Sequence, residues 1–252
     1  MPTVQTVLVQ QEADRTARDY YVNRRHSASF CAQRRFVLRL VGSGRLRILD
    51  IGCGTGEMLP YLVERASVVV GCDLSVERLR LARASCDGAR VVQADAMNLP
   101  FSARGFDVAI AMGVAEFVAD IHGWMREIRR VLRPDGTVVV TFPHAHCAAR
   151  KVGGVLRRSG QFVRRCQRDQ RDRVRTAPQR VHRRTGEFDL DLYDCGFEKT
   201  FGAFCGVRLA FWPFEASSLL RRAAARLERC RWIAGRRALG SVYVIGARCR
   251  RD

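Results

Sequence analysis

Residues 48–59 read ILDIGCGTGEML. A short apolar run, Ile48 to Ile51, leads straight into Gly52, Gly54 and Gly56, spaced two apart, and the following residues turn helical. Glycine permits positive φ and lets the backbone come close to a bound group. The helix that follows would aim its free N–H groups at the same space. In an open parallel sheet, ligands bind at the carboxyl ends of the strands. A ligand site at this loop is therefore expected. The dinucleotide fingerprint G-x-G-x-x-G is broken, because Glu57 stands where the third glycine belongs, and the G-K-[ST] of a triphosphate loop is absent.

Outward from the loop, apolar runs alternate with helical periodicity. RILDI, SVVVGCD, ARVVQAD, FDVAIAMG and TVVVTFP read as strands. LSVERLRLARASC reads as a helix with Ser75 as its N-cap, and IHGWMREIRRVL as a helix whose apolar face carries Ile121, Trp124, Met125, Ile128, Val131 and Leu132. EMLPYLVERA is expected to be helical from Glu57 onward, with Pro60 in its first turns. PDG before the fifth strand is expected to be a turn. Further along, GEFDLDLYDCGF reads as a helix closing at Gly196, EKTFGAFCGVRLAF as a strand with a glycine-marked irregularity, EASSLLRRAAARLERCRWI as a helix and GSVYVIGARC as a last strand. Residues 10–41 read as helical, ended by Gly42 and Gly44. The fold class is α/β: a Rossmann-like, mostly parallel seven-stranded sheet flanked by helices. Asp73 ends the second strand, where a carboxylate can accept both hydroxyls of a ribose, and Asp95 ends the third, within reach of an adenine edge.

The 252 residues are expected to form a single domain. It divides into an N-terminal helical cap (1–44), a ligand-binding core (45–143), a basic insertion (144–186) and the remainder of the sheet (187–252). The net charge is +19, and of 44 basic residues only Lys151 and Lys199 are lysine. Between Arg150 and Arg184, thirteen basic residues face only Asp169 and Asp172, a net +11. Such charge suits nucleic acid, an acidic membrane surface or an anionic substrate. The alternative is a solvated segment whose arginines reflect genome composition. None of the ten cysteines forms a C-x-x-C pair or a zinc-spaced cluster, so reduced core thiols and no metal are expected. No apolar run reaches the length of a bilayer span and no secretory signal is visible, which makes the cytoplasm the expected location.

Taken in order, ILDIGCGTG, VVVGCDLS, VVQADAMNLPF, FDVAIAMGVAEFVAD and VLRPDGTVVVTFP resemble the successive motifs of class I S-adenosylmethionine-dependent methyltransferases. The resemblance is strong over about residues 45–143 and weaker, by element order, over 185–250. It implies S-adenosyl-L-methionine as cofactor. Gly52, Cys53, Gly54 and Gly56 would run beneath its methionine part, with Asp50 facing the amino group. Asp73 would hold the ribose and Leu74 would lie against the adenine. Asp95 would accept from the adenine amino group, with Ala96 and Met97 lining the ring. Met112 and Gly113 would border the methyl donor. The acidic position after the fourth strand is kept as Glu116, whereas Phe117 stands where the family commonly has His or Tyr. The N-terminal helix would form a lid, with Tyr20 or Tyr21 closing on the cofactor, and the Arg-rich insertion would recognise the acceptor.

Methyl transfer aligns nucleophile, methyl and sulfur and can require a base. His144, just past the fifth strand, is the best candidate, with His146 close behind, and Glu116 and His122 are weaker; the alternative for the histidines is an ordinary loop role. The expected activity is methylation of a small-molecule or lipid-linked acceptor, on oxygen or nitrogen. RNA methylation is the alternative the charge suggests, although Phe162 stands nearly alone as a stacking residue among the arginines. A non-catalytic binding subunit of the same fold is the third.

Overall fold

The computed structural model describes residues 4–19, 27–144, 181, 183–207 and 240–251. Seven strands form one sheet: β1 (Arg47–Ile51), β2 (Val68–Asp73), β3 (Arg90–Gln93), β4 (Phe106–Met112), β5 (Leu132–Pro143), β6 (Phe197–Val207) and β7 (Gly240–Cys249). Their order is β3-β2-β1-β4-β5-β7-β6. The first five pair in parallel, and β7 is inserted antiparallel between β5 and β6. The order reverses at β1, so the loop after β1 opens into the crevice between β1 and β4.

Ile48, Leu49 and Ile51 of β1 are fully buried, as a strand covered on both faces requires. One face is covered by α5 (Ile121–Val131) and α6 (Thr185–Asp194), the other by α2 (Ala28–Val41), α3 (Leu59–Val63) and α4 (Val76–Ser85). Helix α5 shows why the sequence pattern was readable. Ile121, Trp124, Met125, Ile128 and Val131 fall on one face and are buried. Its N-cap, Asp120, accepts from the Gly123 amide at 2.9 Å.

Three elements depart from the sequence expectation. The helix after the glycine loop is confined to Leu59–Val63, because the preceding residues form turns in which the Thr55 hydroxyl donates to the Glu57 carboxylate. The PDG segment lies within β5, where Asp135 takes φ +64 and the register with β4 shifts between Phe106 and Val108. The N-terminal part contains α1 (Val4–Arg15) and α2 instead of one continuous helix. Helix α1 docks on the start of α4, where the Asp14 carboxylate accepts from the Ser75 hydroxyl and the Glu77 amide. Tyr20, Tyr21, most of the Arg-rich segment and the helix expected over 215–233 lie outside the described residues. No helix among the described residues is long and apolar enough to cross a membrane.

Replacing Trp124, fully buried under the sheet, with alanine should lower the unfolding free energy by about 3–5 kcal/mol. Urea titration followed by circular dichroism measures it, and a loss below about 1 kcal/mol would contradict the core described.

Candidate active site

The loop after β1 is fixed by backbone geometry that other residues resist. Gly52, Gly54 and Gly56 have φ of +67, +58 and +85. A Cβ on Gly52 would come within 2.4 Å of Val114 Cγ2, so the loop also packs too closely for a side chain. The Cys53 amide donates to the Cys72 carbonyl at 2.9 Å, tying the loop to β2.

Asp73 completes the tie. One carboxylate oxygen accepts from the Gly54 amide and the other from the Ser75 amide, both at 2.9 Å. A carboxylate has about four acceptor sites, so capacity remains for two hydroxyls. Burial pushes the Asp73 carboxyl above its ordinary 3.8, opposed by the Ser75 amide, the Arg78 charge and the Gly54 amide. The unfolded chain releases this proton first, so the group's stability contribution is full below 3.8 and is lost as pH rises through the folded value. An ionised Asp73 thus costs stability near neutral pH.

A small cleft beside the loop is lined by Phe30, Asp50, Gly52, Cys53, Glu57, Met58 and Met112. Asp50, Glu57, Asp73 and Glu116 are all buried at this end of the sheet. Buried carboxylates favour a cationic partner. Gly113, φ +74, bonds through its amide to the Thr141 carbonyl at 2.9 Å. A Cβ on Gly113 would sit 3.6 Å from Glu116 Oε2, which places that carboxylate beside the end of β4. Asp95 is half-buried; its side chain accepts from the Met97 amide at 2.9 Å, and it forms an isolated bridge with Asn98. Leu74 and Ala96 are half-buried and Met97 is exposed, forming a rim next to Asp73 and Asp95.

The candidate bases separate. Glu116 lies at the site, and its carbonyl accepts from the Val181 amide at 2.7 Å. His144 is fully buried, with its ring 4.7 Å from that of Phe204 and its amide bonded to the Ser241 carbonyl. His122 is turned toward α6, 3.3 Å from Asp191. His146 lies outside the described residues. Arg183, at the end of the basic segment, donates to the Val118 carbonyl at 2.7 Å and the Ala119 carbonyl at 3.3 Å. That segment therefore ends against the turn that carries Glu116. Sequence reasoning missed Phe30, Glu57 and Met58 as lining residues. Glu57 was visible as the break in the glycine pattern, but nothing in helical periodicity says what Phe30 faces.

The residues fit S-adenosylmethionine as a ligand: a free-capacity carboxylate at Asp73 for a ribose, and buried acids at a cleft for a cationic methionine end. Residues 49–140 match the family model described as a methyltransferase domain. The chain is 35% identical over 102 residues to the malonyl-[acyl-carrier protein] O-methyltransferase of Salmonella typhimurium, covering 40% of this chain and 41% of that protein. It is 42% identical over 101 residues to the demethylmenaquinone methyltransferase of Thermus thermophilus, covering 37% and 46%. The chain thus spans less than half the length of either relative. Among solved structures, an S-adenosylmethionine-dependent methyltransferase from Mesorhizobium loti superposes with a TM-score of 0.59 at 24% identity, covering 88% of this chain and 98% of that one. Residues 49–140 are thus similar in sequence to a methyltransferase domain, and the described sheet shares the fold of S-adenosylmethionine-dependent methyltransferase structures.

Cys53 sits in the loop itself. Burial, reinforced by Asp50 and Asp73, pushes its thiol well above its usual range. With iodoacetamide at about pH 8, Cys53 should stay unlabelled in the folded protein and react only after unfolding, whereas half-buried Cys31 and Cys86 should react first. Peptide mass mapping reads this out, and early labelling of Cys53 would contradict the packing.

Proposed function

We propose that the chain is an S-adenosyl-L-methionine-dependent methyltransferase acting on a small-molecule or lipid-linked acceptor by O- or N-methylation. The observation that carries the reading is the Asp73 carboxylate, which joins the glycine loop to β2 through Gly54 and keeps acceptor capacity for a ribose. The matched relatives support the small-molecule class, since one is named for a quinone precursor and one for an acyl-carrier-bound malonyl group. The cofactor supplies an electrophilic methyl group on a sulfonium. The chain's part is to hold the ribose with Asp73 and to face the amino group with Asp50. Leu74, Asp95, Ala96 and Met97 flank the adenine, and Gly52, Gly54, Gly56, Met112 and Gly113 admit the methyl donor without a clash. Glu116, beside Gly113, is the base that the geometry favours; its carboxylate takes a proton from an acceptor hydroxyl or amine as the bond forms. His144 and His146 are the alternative bases, and use of His144 requires its ring to leave Phe204. The arginines that end against the Glu116 turn suit an acceptor carrying phosphate or carboxylate, or one presented at an acidic lipid surface.

Isothermal titration with S-adenosylmethionine should show binding that Asp73→Ala weakens on the order of tenfold to hundredfold. Gly52→Ala should do the same, because its Cβ has no room. Affinity should fall as pH drops through the Asp73 value, which lies above 3.8. No binding by the wild type would refute the reading.

The net charge of +19 favours RNA methylation as the second reading. It requires RNA affinity that falls steeply with salt, reporting several phosphate contacts. A methyl-acceptor screen of cell-extract metabolites with labelled cofactor discriminates: transfer to a small molecule, with weak RNA binding even at low salt, upholds the first reading. Cofactor binding with transfer to no acceptor would leave a non-catalytic binding subunit.

A further inference from the structure

Helix α2 buries one polar side chain on an otherwise apolar face. Phe30, Ala32, Val37 and Val41 pack against the sheet, and among them Gln33 is only 6% exposed. A buried amide costs free energy unless it is hydrogen-bonded. Gln33 is bonded at both ends. Its Nε2 donates to Ser29 Oγ at 3.2 Å, and its Oε1 accepts from Thr141 Oγ1 at 2.9 Å. Thr141 lies in β5, is fully buried, and is the same residue whose carbonyl accepts from the Gly113 amide. Its register partner in β4 is Met112. The chain of bonds therefore runs from α2 through Thr141 to the end of β4, where Met112 lines the cleft.

Phe30 lies three residues before Gln33, on the same side of the helix. It lines that cleft together with Met112, Asp50 and Glu57. Apolar burial is non-directional, and a core specified by hydrophobicity alone loses uniqueness before it loses stability. A directional bond at a single point does not slide. The Gln33–Thr141 bond is a buried side-chain hydrogen bond between α2 and the central strands, and it stands one turn from Phe30, which lines the cleft.

We propose that Gln33 is a positioning residue for the cofactor site: by bonding Thr141 it sets the register of α2 so that Phe30 closes on the methionine end of the cleft. The inference rests on the reading of that cleft as the S-adenosylmethionine site. Ser29 and Ser241 extend the device toward β6 and β7. A Cβ on Gly206 would meet Ser29 Oγ at 2.7 Å and Ser241 Oγ at 2.8 Å, so glycine at that position leaves room for both hydroxyls.

The test is a cycle of full-chain variants titrated with S-adenosylmethionine, with thermal unfolding measured alongside. In Gln33→Met/Thr141→Val both bonding partners are replaced by apolar groups of similar shape, which leaves stability nearly unchanged. The unfolding temperature should therefore stay near wild type while the dissociation constant rises about tenfold. Phe30→Ala should raise it similarly. The triple variant should be no weaker than the weaker of the two, because a Phe30 out of register has nothing left to lose. Affinity of the double variant within about twofold of wild type, or effects that simply add, overturns the positioning role. If the double variant does not fold, Thr141→Ser, which keeps the hydroxyl, against Thr141→Val, which loses it, decides the same point: the serine form should bind as wild type and the valine form about tenfold more weakly. Equal affinities of these two overturn the proposal. Failure of the wild type itself to bind would instead sink the cofactor reading beneath it, and is distinguishable on the first titration.

Discussion

The bond from the Gly54 amide to the Asp73 carboxylate is the constraint on which the site depends. It joins the loop after β1 to the end of β2, beside the β1–β4 crevice. Without it the glycine loop, held at positive φ in three places, would keep the Cys53–Cys72 backbone bond but lose its carboxylate tie to β2. The arrangement is paid for in desolvation, as the raised proton affinity of Asp73 shows. A carboxylate held at such a cost next to Asp50 and Glu57 makes sense where a cationic ligand offsets the burial.

How much of this was legible in the sequence depends on how local the cause is. The glycine loop and Asp73 at the end of β2 could be placed from spacing alone, because strand ends and tight turns are set by neighbouring residues, whereas β3 ends at Gln93, short of Asp95. The α5 face could be read because burial follows a period of 3.6. The short α3 was not readable, since the Thr55–Glu57 side-chain bond competes with the helix. The burial of His144 was beyond reach for a different reason. It depends on Phe204 and Ser241, which belong to strands far along the chain. The same holds for Phe30 and Gln33, whose helical periodicity announces a buried face without saying that Thr141 and a cleft are what it meets.

The two halves of the sheet divide the work. The β1–β2–β4 end presents backbone amides, glycines and carboxylates, the chemistry of a polar, positively charged ligand. The β5–β7–β6 end presents an aromatic row, in which Phe142, Tyr243 and Phe204 contact one another in sequence across neighbouring strands and Phe188 of α6 backs Phe142. His144 joins that row at Phe204. Glu116 stands where the two regions meet, on a turn whose backbone and flanking carbonyls are held by Val181 and Arg183.

The insertion of β7 between β5 and β6 has a kinetic consequence. In the parallel half the longest closure is that of β1 with β4, which pairs Ile48 with Val108, and the other pairings join consecutive strands. The other half cannot close that way. Thr137 pairs with Arg248, and β6 has no neighbour in the sheet except β7. Long-range pairing of this kind is slow. The half that carries the glycine loop is therefore able to assemble first, and β6 joins the sheet only when residues 240–249 pair with β5 on one side and β6 on the other.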